Sequence, residues 1–270
     1  MILNIAHRGA RSLAPENTMP AIRKAWEIGA DAVEIDVGIT RDGQLIILHD
    51  ETLQRTTDVL RRFPDRAADA CSTFTLEEIR SLDAGSWFID ADPFGQIAAG
   101  KISQAELLQF KGAFVPTLAE VLAYVKEKSW QVNIELKQAM QSVEHLPITD
   151  AVLQCIAHLD VPPCRLSISS FDHTYIRDIR EKRPDIEIHA LIGPADGSGQ
   201  DWGNYEFPIY NACADCTDED QIRAAHRHGC QVNLYTVNEP SRMRRFAEAG
   251  IRGIFTDFPQ ILTQILHPEG

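Results

Sequence analysis

The sequence predicts an α/β protein built on a parallel sheet, which could be open or closed. Short apolar runs alternate with helix-like segments from one end of the 270-residue chain to the other. Helical patterns occupy most of the connections between the apolar runs, as the crossovers of a parallel sheet do. A chain of this length can also bury the large core that such a sheet needs.

Nine apolar runs have the length of strands. They lie at 2–6, 32–37, 45–48, 132–136, 165–169, 186–192, 208–212, 232–236 and 253–256. Helical periodicity is found at 17–28, 118–128, 143–159, 173–182, 219–228 and 241–249. Only a turn with Asp42 and Gly43 separates the second and third strands, which leaves no room for a helix. A closed barrel of eight strands would leave one of the nine runs outside it. The run at 208–212 is the weakest strand candidate.

Residues 51–114 interrupt this alternation. Only one clear helix, at 76–82, is predicted there. A loop of that length without secondary structure is uncommon in a compact domain. We therefore expect a single domain over 1–270 that contains an approximate insertion at 51–114. A glycine-rich stretch at 193–203 predicts a flexible loop.

Composition and charge exclude several classes of protein. The chain has 26 basic and 39 acidic side chains, a net charge of −13, which argues against a nucleic-acid partner. No apolar run approaches the roughly 18 residues that span a bilayer, so we expect no stable membrane anchor. The N-terminus does not resemble a signal peptide, and the six scattered cysteines do not resemble a disulfide framework. These features predict a cytoplasmic protein and leave its oligomeric state open.

Unusual polar residues stand at the carboxyl ends of the first four predicted strands. They are His7, Arg8, Glu34, Asp36, His49, Glu135 and Lys137. In parallel α/β folds, the carboxyl ends of the strands form the rim on which active sites are built. Glu34 and Asp36 are two residues apart, so both side chains point to the same face of their strand.

Two carboxylates on one face of a buried strand repel each other and are costly to bury unless a cation compensates them. A hard divalent metal, Mg²⁺ or Ca²⁺, bound by Glu34, Asp36 and Glu135 would remove that cost. The alternatives are an ion-pair cluster with Arg8 and Lys137, or a strand end open to water. The second acidic strand end, at Glu135, favours the metal.

Two histidines adjoin this acidic cluster. Histidine is the usual proton carrier near neutral pH, so His7 and His49 are candidates for an acid–base pair. Arg8 and Lys137 would then hold an anionic oxygen, a task that suits phosphate.

Short motifs run in a fixed order along almost the whole chain. They are His7-Arg8-Gly9, Pro15-Glu16-Asn17-Thr18, Glu34-Ile35-Asp36-Val37, His49-Asp50, Leu53 with Arg55-Thr56-Thr57, Ala84-Gly85-Ser86-Trp87-Phe88, Ile134-Glu135-Leu136-Lys137, Ser169-Ser170-Phe171-Asp172, Tyr235-Thr236-Val237-Asn238 and Thr256-Asp257-Phe258-Pro259. Each motif is short, but the ordered set is specific. In this set the chain resembles the glycerophosphodiester phosphodiesterase family.

The resemblance implies a (β/α)8 TIM barrel with a small inserted segment after the third strand. It implies hydrolysis of a small-molecule phosphodiester, such as glycerophosphocholine or glycerophosphoethanolamine, to glycerol 3-phosphate and an alcohol. It also assigns roles to the strand-end residues: Glu34, Asp36 and Glu135 hold one divalent cation, Mg²⁺ or Ca²⁺, His7 and His49 are the catalytic pair, and Arg8 and Lys137 contact the phosphate. Of the two histidines, we assign His49 to the leaving group.

Two alternative functions stay open at this point. One is a lysophospholipase D-like phosphodiesterase, which would need an apolar groove at the rim. The other is a catalytically silent barrel used as a binding module, although all the histidines and metal carboxylates are present. The chain also departs from the family pattern, since Tyr235 stands where Trp is common and the segment 89–115 is longer than usual.

Other signals receive simpler interpretations. The spacing of Cys213 and Cys216 fits no common zinc finger, so we expect incidental cysteines. Glu16, Asn17 and Thr18 are expected to cap the first helix. Four aromatic residues are candidates either to line the pocket or to pack the insertion: Trp87, Phe88, Phe94 and Phe171.

Overall fold

The computed structural model describes residues 2–137, 147–193 and 200–268. Its strands are β1 (Leu3–His7), β2 (Ala32–Ile39), β3 (Leu45–Ile47), β4 (Gln131–Leu136), β5 (Leu166–Ser170), β6 (Glu187–Ile192), β7 (Ile209–Cys213), β8 (Gln231–Tyr235) and β9 (Gly253–Thr256). Its helices are α1 (Met19–Ile28), α2 (Val59–Arg62), α3 (Leu76–Arg80), α4 (Ser86–Ala91), α5 (Gln104–Phe110), α6 (Leu118–Lys128), α7 (Ile148–Leu159), α8 (His173–Lys182), α9 (Glu219–Arg227), α10 (Pro240–Glu248) and α11 (Pro259–Leu266).

Eight of the nine strands are parallel and close into a barrel. β1 completes the circle because it pairs with both β2 and β9, so that Ile5 lies opposite Ala32 on one side and Phe255 on the other. The predicted parallel sheet is confirmed, and it has the barrel form that the family resemblance implied. All eight carboxyl ends therefore open on one rim.

β3 is the strand that does not belong to the barrel. It runs antiparallel to β2, with Ile47 opposite Val37. The connecting turn is tight, and Gly43 within it has a φ of 76°, which favours glycine. A turn this short can join only antiparallel strands, because a parallel pair needs a long crossover.

The run at 208–212, which has the weakest strand pattern, is the barrel strand β7. Its pattern is weak because a polar residue, Asn211, points into the barrel. Asn211 is fully buried, and its Oδ1 accepts a hydrogen bond of 2.8 Å from Nδ2 of Asn233 on β8. A buried amide with a partner is tolerated in a strand, although it interrupts the apolar run.

The crossover helix α6 shows why the predicted helices form where they do. Its first turn is a capping box, in which Thr117 Oγ1 accepts from the Glu120 N–H while the Glu120 carboxylate accepts from the Thr117 N–H. Four buried apolar residues follow at helical spacing: Leu118, Val121, Leu122 and Val125. The local cap and one apolar stripe together place the helix against the sheet.

Four short helices, α2 to α5, lie between β3 and α6. α3 is the helix predicted at 76–82, whereas the other three were not predicted. They are four to seven residues long, too short for helical periodicity to stand out. Part of this segment has a small core of its own, which includes Leu53, Phe74 and Ile79. Capping boxes at Thr75 and Ser103 start two of the helices and are visible in the sequence.

The remaining predictions concern one helix, the glycine-rich loop and the C-terminal segment. The helix predicted at 143–159 is α7 from Ile148 onward, and 143–146 lie outside the described residues. Residues 194–199 of the glycine-rich loop also lie outside them. α11 is a helix that was not predicted from the sequence.

Across the described ranges, no helix combines the length and apolar character needed to cross a membrane.

Candidate active site

A cavity of about 250 Å³ opens at the carboxyl ends of the barrel strands. Six of the seven predicted site residues line it: His7, Arg8, Glu34, His49, Glu135 and Lys137. The seventh, Asp36, contacts two of these residues, since its carboxylate oxygens lie 3.2 Å from Arg8 Nε and 3.4 Å from Lys137 Nζ. The structure thus brings all seven side chains into one cluster.

Three larger cavities lie elsewhere. One of about 580 Å³ borders α1 and α6 and includes Phe114. A second, of about 380 Å³, lies at the amino-terminal ends of the strands and includes Gln131 and Glu187. A third, of about 350 Å³, lies beside α7 and includes Cys155. Among the described residues, the one cluster of three acids able to share a metal belongs to the smaller cavity. We therefore place the candidate active site there, in keeping with the rim that barrel enzymes use.

Glu34, Asp36 and Glu135 form the acidic cluster, and each offers an oxygen within 4.8 Å of the other two. Asp36 on β2 lies opposite Glu135 on β4, which explains their approach. Burial raises the pKa of Glu34 well above its usual range, and repulsion from Asp36 and Glu135 adds to the effect. Burial likewise raises the pKa of Glu135. Arg8 and Lys137 hold the pKa of Asp36 at about 2 although burial acts in the opposite direction.

Arg8 and Lys137 form ion pairs with carboxylates of the cluster, so the ion-pair alternative describes part of it. Lys137 Nζ lies 2.7 Å from Glu135 Oε1. Within the described part of the chain, no hydrogen bond reaches the buried Glu34 Oε1 or Asp36 Oδ1, and Asp36 Oδ1 has only the ion-pair contact of 3.4 Å with Lys137 Nζ. Leaving a buried acceptor without a hydrogen bond is costly, and hard divalent cations take carboxylate oxygens as ligands. The donor set therefore fits a divalent metal in addition to the ion pairs.

His7 is oriented by Asp257. The distance from His7 Nδ1 to Asp257 Oδ1 is 2.7 Å, and Asp257 also accepts from Asn238 Nδ2 at 2.8 Å and from Arg11 Nη1 at 3.3 Å. Burial, and then the charge of Arg8, lowers the pKa of His7. A neutral ring that donates through Nδ1 has its acceptor lone pair on Nε2, so His7 is suited to take a proton.

His49 has a partner of the same kind. Its Nδ1 lies 2.6 Å from Asp50 Oδ1, and Arg55 Nε donates to the other oxygen of Asp50 at 2.6 Å. The bonds from His49 and Arg55 keep the pKa of Asp50 below its usual range although burial opposes them. The side chain of His49 is 31% exposed against 14% for His7, so His49 lies nearer the solvent.

Glu16 and Asn17 do not cap the first helix, and that prediction is wrong. The Glu16 carboxylate accepts bonds of 2.8 Å from three guanidinium groups, those of Arg8, Arg11 and Arg55. Asn17 Nδ2 donates to Asp36 Oδ2 at 2.8 Å. Thr18 occupies the N-cap position of α1 but makes no side-chain cap bond. Glu16 and Asn17 instead fix the cations and one carboxylate of the site.

Apolar side chains complete the lining of the cavity: Phe171, Leu191, Tyr235 and Phe255. Of the four aromatic residues considered from the sequence, Phe171 alone lines the cavity. Phe88 is fully buried in the core with Trp87 edge-on against it, and Phe94 packs edge-on against Phe258. Most of the candidate aromatic residues therefore pack the insertion onto the barrel.

The partners of the histidines are the functional residues that strand-end reasoning missed. Asp257 follows β9, and Asp50 follows His49. Both lie within the ordered motifs, so the motifs were the signal that could have identified them. Glu16 lies within such a motif as well.

Fold and site together define a parallel-barrel protein whose rim cavity combines two carboxylate-bonded histidines with a cluster of three acids. Residues 7–261 match the Glycerophosphoryl diester phosphodiesterase family. A glycerophosphodiester phosphodiesterase from Caldanaerobacter subterraneus is 32% identical over 273 residues, covering 99% of each chain. One from Bacillus subtilis is 28% identical, covering 98% of this chain and 86% of the relative. The chain belongs to the glycerophosphoryl diester phosphodiesterase family.

Solved structures agree with this fold. A glycerophosphodiester phosphodiesterase from Agrobacterium tumefaciens superposes with a TM-score of 0.72 at 26% identity, covering 97% of this chain and 99% of that one. An Oleispira antarctica phosphodiesterase, solved in complex with the product sn-glycerol-3-phosphate, gives a TM-score of 0.76 at 24% identity, with 97% and 95% covered.

Proposed function

We propose that the protein hydrolyses glycerophosphodiesters, such as glycerophosphocholine or glycerophosphoethanolamine, to glycerol 3-phosphate and a free alcohol. The observation that carries this proposal is the placement of His7 and His49 on one cavity with the three-carboxylate cluster. Membership of the family supports the substrate class. Breaking the bond from phosphorus to the alcohol requires one proton to be removed from the nucleophile and one to be given to the leaving group.

In this proposal Glu34, Asp36 and Glu135 hold one divalent cation, Mg²⁺ or Ca²⁺. When bound, such a cation polarises the phosphoryl group and offsets the charge that develops on its oxygens. Arg8 and Lys137 line the same cavity and bind the phosphate, because guanidinium and ammonium groups form strong charge-assisted hydrogen bonds with it.

His7 takes the proton from the nucleophile, and His49 gives a proton to the leaving alkoxide. The lowered pKa of His7 keeps its ring neutral near pH 7, the form that accepts a proton. Asp257 then stabilises the imidazolium that results. The more exposed position of His49 suits the departure of the alcohol. The nucleophile is either water or the neighbouring glycerol hydroxyl, and the second route passes through a cyclic phosphate.

The test is an assay of glycerol 3-phosphate released from glycerophosphocholine and glycerophosphoethanolamine. We expect release that stops after treatment with EDTA and returns when Mg²⁺ or Ca²⁺ is restored. A folded protein that releases nothing with any divalent metal would overturn the proposal. Cleavage of a lysophospholipid in place of both diesters would support the lysophospholipase D-like alternative.

We also propose that residues 1–270 form one domain with an insertion at 51–114. Phe88 and Phe110 support this, because both belong to the insertion yet are buried in the main core of the barrel. We further propose a cytoplasmic location, in which reduced thiols persist. The six cysteines, all within the described ranges, are free.

A further inference from the structure

Phe171 is an exposed aromatic residue on the wall of the candidate active site. It lines the cavity, yet 48% of it is exposed. It lies in the turn between β5 and α8, where the Asp172 N–H donates to Ser170 Oγ at 3.0 Å. Asp172 also caps α8 by accepting from the Thr174 N–H. The turn is therefore held firmly, and it presents an apolar ring to the solvent.

Tyr235, at the end of β8, forms a corner with this ring. The ring centroids of Phe171 and Tyr235 are 6.1 Å apart, and the ring planes are nearly perpendicular, at 89°. The Tyr235 hydroxyl donates to the Ile192 carbonyl at 2.9 Å. Gly193 leaves room for it, because a Cβ there would lie 2.3 Å from the hydroxyl oxygen. We call Phe171 and Tyr235 the aromatic corner.

The other exposed aromatic rings are covered by cations of the chain itself. Lys128 Nζ lies 4.7 Å from the ring centroid of Trp26, and Arg80 stands 4.3 Å from that of Phe114. Among the residues that the structure describes, no lysine or arginine stands over a ring of the aromatic corner. Aromatic faces attract cations, so the corner offers a surface that a ligand cation could occupy.

We propose that the aromatic corner binds the alcohol half of the substrate and selects alcohols that end in a quaternary ammonium group. The inference rests on the proposed function and names the substrate class for the same site. A quaternary ammonium has no N–H group that loses water on transfer to an apolar wall, whereas a primary ammonium or a hydroxyl does. The corner and His49 line one cavity, so a single diester can reach both.

The test compares kcat/KM for glycerophosphocholine, glycerophosphoethanolamine and the glycerophosphodiester of 3,3-dimethylbutanol, an alcohol that has the shape of choline without its positive charge. We expect the wild-type protein to prefer the choline diester over both others by on the order of tenfold. Phe171→Leu keeps an apolar side chain but should lose this preference. Phe114→Leu, the same substitution at an exposed ring outside the cavity, should keep it.

Equal kcat/KM for the choline diester and the 3,3-dimethylbutyl diester in the wild-type protein would overturn the inference. Binding of free choline, followed by saturation-transfer NMR, separates this inference from the proposed function. If no diester is cleaved, the proposed function fails, but choline binding that is lost in Phe171→Leu would still support the corner. No choline binding by the wild-type protein would reject it.

Discussion

Each histidine of the site makes an Nδ1 contact with a carboxylate, His7 with Asp257 and His49 with Asp50. When the ring is neutral, this bond fixes the tautomer that leaves Nε2 able to accept a proton. When the ring is charged, the same carboxylate stabilises the imidazolium. In the proposed mechanism, the two acids therefore determine how well the two rings exchange protons with the substrate.

Asp257→Asn should lower kcat/KM and change its pH dependence. The bond and charge of Asp257 raise the pKa of His7, against the larger effect of burial. Removing that charge should therefore lower the pKa of His7 further, and the acidic limb of the kcat/KM profile should move to lower pH. We expect a loss of about 10²-fold or more at the plateau.

The pH profile of kcat/KM for glycerophosphocholine measures both effects. Asp178→Asn, which removes a carboxylate bonded to Lys182 on the surface, is the matched control and should leave the profile unchanged. A wild-type profile in Asp257→Asn would show that His7 does not depend on this carboxylate.

His49→Ala should show whether His49 protonates the leaving group. With a choline leaving group, which must be protonated, we expect kcat to fall by about 10²–10⁴-fold. With the p-nitrophenyl diester of glycerol phosphate the loss should be much smaller, because p-nitrophenolate leaves without a proton. His7→Ala should be impaired on both substrates. Equal losses of kcat for His49→Ala on the two substrates would reject the assignment of His49 as the acid.

The site residues and their partners differ in how far the sequence reveals them. The seven cluster residues could be predicted because each is a polar residue within or just after an apolar run. The pairing of His7 with Asp257 spans 250 residues, and it exists only because barrel closure sets β9 beside β1. Local sequence patterns do not show which strands pair to close the barrel. The three guanidinium partners of Glu16 depend on the folded chain in the same way.

At the scale of elements, β2 does most to assemble the site. All eight of its residues are buried, and it pairs with β1, β3 and β4. It therefore carries Glu34 and Asp36 between the strand that ends in His7 and the strand that carries Glu135. The alternation of side chains along a strand, which the sequence does show, is sufficient to place both acids on one face.

The elements that the sequence predicted poorly or not at all are mostly short or polar. α2, α4 and α5 were not predicted because they have too few turns for an apolar stripe, and β7 was the weakest strand candidate because it contains the buried Asn211. The antiparallel pairing of β3 could have been expected from its short turn, since no crossover fits there. Length and continuity of the apolar pattern therefore decided which elements could be predicted.

Thr117→Ala should destabilise α6 without touching the chemistry. It removes the side-chain acceptor of the capping box, so we expect the free energy of unfolding to fall by about 1 kcal/mol. The urea midpoint should fall accordingly, while kcat of the folded protein stays the same. Thr117→Ser keeps the hydroxyl and should retain most of the stability. A wild-type midpoint in Thr117→Ala would show that the cap contributes nothing.

At the scale of the whole molecule, the net charge of −13 contrasts with a proposed anionic substrate. Arg8, Lys137, Arg11 and Arg55 concentrate positive charge around the cavity. A divalent cation on the acidic cluster would add to this positive charge and offset the negative charge of Glu34, Asp36 and Glu135. The overall charge of the chain is therefore a poor guide to its substrate, and the local arrangement is a better one.

Binding of this cation should stabilise the entire fold. A ligand that binds only the native state adds about 2.7 kcal/mol at 100 times its dissociation constant. We therefore expect Mg²⁺ or Ca²⁺ to raise the Tm of the wild-type protein in thermal unfolding. Glu34→Gln should lose this rise, whereas Glu206→Gln, at an exposed ion pair with Arg177, should keep it. An equal rise of Tm in both variants would place the cation elsewhere.

The decisive measurement is the steady-state release of glycerol 3-phosphate from glycerophosphocholine by the wild-type protein, His7→Ala and His49→Ala, with divalent metal present. We predict turnover by the wild-type protein and a loss of at least about 100-fold in each variant, with unchanged circular dichroism. Near-normal release by either variant would contradict the acid–base pair. No release by the folded wild-type protein would contradict the proposed activity itself.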